Sequence, residues 1–279
     1  MKHSSSRHSA LLVTALLVAT AVLSACTGAS ARTDEVTVTG STTILPIAEV
    51  SAEMFKEAHP DVKVLVSGVG SSAGIESVST GSSDIGTSSR DLKPEEEDLG
   101  LIDTPIAYDA IAIIVNPDNP VESLTTQQIK AIFQGKITRW SEVGGPDETI
   151  HLVNRDEASG TREAFFKIVM DKESFDPAAA VLPGTGQVRA VVAEAPGAIG
   201  YISFGFLNES VKAVAVDGVA PSVETVFSGD YPIQRTLHFF TEGDPAGLAK
   251  EYIDFVLSPA VQDTVVQDAG FLPVTHRSE

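Results

Sequence analysis

Two spacings of apolar residues alternate along the chain. Val36-Thr37-Val38-Thr39 places an apolar side chain at every second position, as a half-buried strand does. Ile44, Ile47, Ala48, Met54, Phe55 and Ala58 instead share one helical face, and the helix predicted over 44–58 must stop before His59-Pro60. The same reading predicts a strand at 62–66, a short helix at 72–80 and a strand starting at Asp84. Residues 107–115 form the longest apolar run of the body, a strand buried on both faces. Further helices are predicted at 126–133, 161–170 and 188–194, with strands at 149–153, 198–202, 212–216 and 236–241. Two helices, 245–257 and 259–267, close the chain. Such alternation predicts an α/β fold with mostly parallel sheets.

Composition narrows the function. The chain has 279 residues, 43% of them hydrophobic, enough for a real core. Acidic residues number 38 against 19 basic ones, a formal charge of −19, which argues against nucleic acid as a partner. A single cysteine excludes a disulfide framework and a cysteine-based zinc site.

That cysteine has a telling position. Lys2 and Arg7 precede the uncharged, largely apolar run 11–23, which is shorter than the ~20 residues that cross a bilayer. Leu23-Ser24-Ala25-Cys26 follows. The arrangement resembles the bacterial lipobox, which implies cleavage before Cys26 and lipid attachment to it. Residues 1–25 are therefore expected to be a signal peptide, and 26–33 a flexible lipidated tether. The working part is then extracytoplasmic and anchored to the cell membrane.

Four clusters of small polar residues recur beside predicted strands. They are Gly40-Ser41-Thr42-Thr43; Gly68 to Gly74, containing Ser71 and Ser72; Asp84-Ile85-Gly86-Thr87-Ser88-Ser89-Arg90; and Asn154 to Arg162, containing Arg155, Ser159, Gly160 and Thr161. Hydroxyls at helix starts commonly serve as caps, each contributing about 1 kcal/mol. Four clusters at one topological end of an open sheet instead predict a ligand site. Free N–H groups, hydroxyls and positive helix ends suit an anion, and Arg155 adds a fork of charged donors. Asp84 would repel a fully ionised ligand but could accept a proton from phosphate, thereby disfavouring sulfate. The alternative is a structural ion pair between Asp84 and Arg90.

The ordered set Gly40-Ser-Thr-Thr43, Gly70-Ser-Ser-Ala-Gly74, Asp84 to Arg90, Arg155 with Ser159-Gly-Thr-Arg162, and Gly197-Ala-Ile-Gly-Tyr201 resembles the phosphate-binding lipoproteins of ABC-type phosphate importers. The likeness runs from about Val36 to Val274. It implies a two-lobed, type II periplasmic-binding-protein-like α/β fold with a ligand cleft, closing on one dehydrated inorganic phosphate. Lobe I is expected over 34–108 and 235–279, and lobe II over 109–234. The ligand set carried over is Ser41, Thr42, Thr43, Ser71, Ser72, Asp84, Ser89, Arg90, Arg155, Ser159, Gly160 and Thr161. Ser72-Ala73 departs from the commoner Thr-Gly or Ser-Gly, which leaves open which hydroxyl at 71–72 meets the ligand. Partners implied are the importer's permease and ATPase, with no cofactor or metal and a monomeric carrier.

Competing readings are weaker. Another oxyanion, such as sulfate, molybdate or a phosphonate, could use the same architecture. Gly70-Ser-Ser-Ala-Gly74 fits a hydrolase nucleophile pattern centred on Ser72, but nothing orients His151, His238 or His276 as its base. His151 and His238 are expected to be packed strand residues. Gly135-Lys136 is followed by Ile137, so no Walker sequence is present. Glu95-Glu96-Glu97-Asp98 reads as a solvated acidic turn or helix face.

Overall fold

The computed structural model describes residues 34–276. The expected signal peptide, tether and lipid attachment at Cys26 lie outside them. Strand β1 (Asp34–Gly40) leads into helix α1 (Leu45–Ala58), β2 (Val62–Gly68), α2 (Ser71–Ser79) and β3 (Ile85–Ser88). The long strand β4 (Leu101–Val115) follows, then β5 (Ser123–Leu124) and α3 (Thr126–Phe133). Next come β6 (His151–Arg155), α4 (Gly160–Ile168), β7 (Ala180–Leu182), α5 (Thr185–Glu194), β8 (Ala198–Ser203) and β9 (Lys212–Val216). Helix α6 (Val223–Phe227), β10 (Gln234–Glu242), α7 (Gly247–Val256), α8 (Pro259–Val261), a π-helical turn (Gln262–Val266) and β11 (Leu272–Pro273) complete the order.

The sheet is mixed rather than mostly parallel. Its main path runs β2-β1-β3-β10-β4-β8-β6-β7. The outer pairs β1–β2, β1–β3, β6–β7 and β6–β8 are parallel, as helical crossovers require. Around the two central strands every pairing is antiparallel: β10 with β3 and β4, and β4 with β8, β9 and β11. Strand β10 returns late in the chain and runs back between β3 and β4, an insertion that periodicity along the sequence does not reveal.

Strands β4 and β10 also connect the two largest apolar cores. Val38, Ile47, Phe55, Leu237, Phe239 and Tyr252 belong to one, together with Ile106 and Ala107 of β4. Ile111 and Ile113, further along β4, belong to the other with Phe133, Trp140, Phe165 and Tyr201. Burial explains why 107–115 is so apolar: within it only Tyr108 retains appreciable exposure.

Several local features fix the strand-to-helix loops. Gly40 has φ 144°, and a Cβ there would lie 2.2 Å from the Thr87 carbonyl oxygen. Helix α2 packs so closely on β1 and β3 that a Cβ on Gly74 would lie 2.6 Å from Gly40 Cα and from the Thr39 oxygen. These contacts are backbone and cannot swing aside. Gly74→Ala is therefore expected to destabilise the protein by about 1–3 kcal/mol, seen as a lower urea midpoint. An unchanged midpoint would contradict this packing.

Candidate functional site

The polar clusters converge where the two cores meet. The N-cap residues of α1, α2 and α5 are Ile44, Gly70 and Gly184, and none of them makes a side-chain cap hydrogen bond. Capping therefore does not explain Thr42, Thr43 or Ser71. Only at α4 does a cluster residue cap in the ordinary way, with Ser159 Oγ accepting from Arg162 N at 3.2 Å.

The hydroxyls face one another across the seam. Thr43 Oγ1 lies 3.2 Å from Thr161 Oγ1, and Thr42 Oγ1 lies 3.3 Å from Thr185 Oγ1. Ser71 Oγ is 3.4 Å from Ser89 Oγ and accepts from Ser89 N at 3.1 Å. A Cβ on Gly160 would stand 2.2 Å from Ser71 Oγ and 2.7 Å from Ser89 Oγ, so only glycine allows this approach. Ser72 N donates to the Ala158 carbonyl at 3.1 Å, a backbone contact across the same seam. Ser41 is buried and accepts from Thr43 N at 3.2 Å, shaping the first loop from within.

Arg155 supplies the charge. Only 2% exposed, it donates from Nε to Leu182 O, from Nη1 to Thr185 Oγ1, and from Nη2 to Thr42 Oγ1 and Pro183 O. Every one of those acceptors is neutral, and burial pushes the guanidinium pKa down. A buried cation with neutral partners is costly unless an anion joins it. Tyr201 OH donates to Asn154 Oδ1, which also accepts from Arg155 N, so the strand end carrying Arg155 is held from beneath. Burial raises the Tyr201 pKa, so the phenol stays neutral.

Two further arginines frame the seam. Arg90 donates from Nη1 and Nη2 to Glu96 at 2.6 and 2.8 Å, and from Nη2 to Ser72 Oγ at 3.2 Å. It braces the second and third loops together, and Glu96 is its counterion rather than a member of a solvated turn. Ser71 is fully buried at the seam, whereas the half-buried Ser72 is turned to Arg90. Arg235, on β10, was not foreseen as a site residue. Its Nη2 donates to Thr43 Oγ1 at 3.3 Å, its Nη1 to Ser89 O at 3.2 Å, and its Nε and Nη2 to Asp109 Oδ2 at 2.9 and 2.7 Å. Asp109 is the one charged residue in the apolar run 107–115, a signal available in the sequence. Thr185 was also missed, although it opens a helix after a strand as the other cluster residues do.

Asp84 does not reach the seam. It is exposed before β3, and its Oδ2 accepts from Thr37 N and Thr37 Oγ1, both at 2.7 Å. Ile85–Ser88 is a strand, which at about 3.3 Å per residue sets Asp84 roughly 16 Å from Ser89. The same strand rules out the Asp84–Arg90 ion pair. His151 is exposed at a strand start rather than packed, whereas His238 is buried.

His238 lies between two carboxylates, with Nδ1 2.8 Å from Asp103 and Nε2 3.4 Å from Asp91. Burial alone lowers the imidazole pKa, but the hydrogen bonds and charges of Asp103 and Asp91 outweigh it, and the net shift is upward. A raised value means the imidazolium stabilises the fold below its unfolded pKa of about 6.5, a contribution lost as pH rises through the folded value. Denaturant unfolding is expected to show a larger stability advantage over His238→Gln near pH 6 than near pH 8.5. An advantage that grows with pH would refute this.

A family model described as a PBP superfamily domain matches residues 25–260. The phosphate-binding protein PstS of Bacillus subtilis is 38% identical over 254 residues, covering 89% of this chain and 83% of that protein. A crystal structure with bound phosphate, of a protein assigned as a phosphate ABC transporter substrate-binding protein from Clostridium perfringens, superposes with TM-score 0.83 at 42% identity. That match covers 86% of this chain and all of the other. An ABC-type phosphate transport receptor from Vibrio cholerae matches at TM-score 0.72 and 34% identity, over 85% of this chain and 99% of that one.

Proposed function

The chain belongs to the PBP superfamily and, within it, to the PstS phosphate-binding proteins, and we propose that it binds inorganic phosphate outside the cytoplasm and delivers it to an ABC importer. One observation carries this reading: Arg155 is buried, bonded only to neutral oxygens, and set among facing hydroxyls and uncapped helix starts. Such a place stabilises an oxyanion through charge-assisted hydrogen bonds and helix dipoles.

The contacting set in this reading is Thr42, Thr43, Ser71, Ser89, Arg155, Ser159, Gly160 and Thr161, joined by Thr185. Ser41, Ser72, Arg90 and Arg235 hold that set in shape. Residues 34–108 and 235–279 act as one lobe and 109–234 as the other, a reading supported by the two largest cores, which divide along nearly the same line although Leu272 packs in the second. Strands β4 and β10 form the hinge. Phosphate entering the open cleft makes contacts from both walls at once, and that differential binding shifts the population toward the closed form. The closed form docks on a permease driven by its ATPase. Anchoring is through lipid on Cys26, and among the described residues no helix is long and apolar enough to cross a membrane.

The carrier performs no chemistry of its own. Ser72 Oγ accepts from Arg90, and His238 is engaged by two carboxylates, so neither is poised as a nucleophile–base pair.

Calorimetry on protein stripped of anion by unfolding and refolding is expected to show tight binding of one phosphate per chain. Arg155→Ala should weaken it by more than roughly tenfold, since a buried charged donor is lost. An Arg155→Ala affinity within about twofold of wild type would remove that residue from its role. Binding of sulfate or molybdate in place of phosphate would overturn the ligand while leaving the cleft.

A further inference from the structure

The guanidinium groups around the seam differ in how their charge is met. Glu96 cancels Arg90 through two hydrogen bonds. Asp109 stands directly opposite Arg235 in the β4–β10 ladder and cancels it in the same way, with its other oxygen accepting from Ser203 Oγ at 2.9 Å. Of these three, only Arg155 has no ion pair among the described residues. Asp156, next in sequence, draws on its charge from nearby, and the Asp156 Oδ1 is buried without a hydrogen-bond partner. Lys167 lines a pocket of 270 Å³ with Arg90 and Arg235, and there it acts on Asp91, which lines the same pocket. Tyr201 is neutral.

Arg162, in the first turn of α4, has Glu157 at 4.0 Å and lies over the Phe175 ring. The formal charge beside the seam that no carboxylate meets is therefore that of one guanidinium, Arg155. A singly charged oxyanion matches it, whereas a doubly charged one leaves negative charge uncompensated where solvent cannot screen it. The hydroxyls facing the seam can accept protons as well as donate them, so a protonated oxyanion leaves none of them mismatched. Sulfate has no proton and keeps both charges.

We propose that Asp109, from behind Arg235, sets the charge selectivity of the site, so that phosphate is held in its singly charged dihydrogen form and doubly charged sulfate is disfavoured. Asp109 does not touch the ligand. It acts through Arg235, by withholding a second net positive charge from the seam. The inference rests on phosphate being the ligand.

The experiment is a calorimetric titration of the purified wild-type chain with sodium phosphate near pH 8, repeated in two buffers of different ionisation enthalpy. Capture of the dihydrogen form requires uptake of about one proton per phosphate at that pH. Phosphate bound with no proton uptake overturns the proposal. Asp109→Asn preserves shape while removing the charge. It is expected to raise sulfate affinity relative to phosphate by roughly tenfold or more and to reduce proton uptake. A folded Asp109→Asn protein with wild-type selectivity and wild-type proton uptake also overturns the proposal. Should that variant fail to fold, the proton count on the wild-type chain decides alone. A folded wild-type chain that binds no phosphate overturns the functional reading beneath, and this inference with it.

Discussion

Arg155 keeps a guanidinium charge out of water while its hydrogen bonds reach only the neutral oxygens of Thr42, Thr185, Leu182 and Pro183. Removing such a charge from water costs several kcal/mol even after relaxation. The surroundings offset part of that cost with four acceptors, and an anion would supply the rest. Much of the nearby structure follows from this need. Tyr201 and Asn154 fix the strand end, and glycine at 160 lets the α4 loop come within contact of Ser71 and Ser89.

The same economy governs β4 and β10. Two long strands joining two apolar cores would ordinarily be apolar throughout, and β4 nearly is from Ile106 onward. The ion pair Asp109–Arg235 interrupts that run at the point where one core gives way to the other. From there Arg235 reaches Thr43 and Ser89 on one side, while Asp109 reaches Ser203 on the other. A buried cross-strand pair of this kind gains geometric definition more than stability. It connects the polar loops to the two strands that run between the cores.

Helix starts without side-chain caps make a third part of the design. At α1, α2 and α5 the first-turn N–H groups have no side-chain partner from the cap residue. Such groups ordinarily attract a hydroxyl or water. Here the available hydroxyls instead span the seam, Thr42 to Thr185 and Thr43 to Thr161. Stability given up at the helix ends is recovered as a polar surface complementary to an oxyanion.

Much of this was legible in the residues alone. Periodicity placed α1, α3 and β9 closely, because each follows a single spacing from end to end. The clusters around Thr42, Ser71, Ser89 and Arg155 were visible as small polar runs between strand and helix, a local pattern with a local cause. Asp84 was misplaced because the polar cluster 84–90 was assigned to one site although the strand expected to start there, Ile85–Ser88, carries its two ends apart. Arg235 and Asp109 lie 126 positions apart, so no local pattern could pair them. By itself, then, the sequence determined the elements, the apolar faces and the kind of chemistry at the strand ends, all set by forces between near neighbours. Only the tertiary structure decided the antiparallel centre of the sheet, the counterion of each arginine and the exclusion of Asp84, because those depend on which distant strands lie side by side.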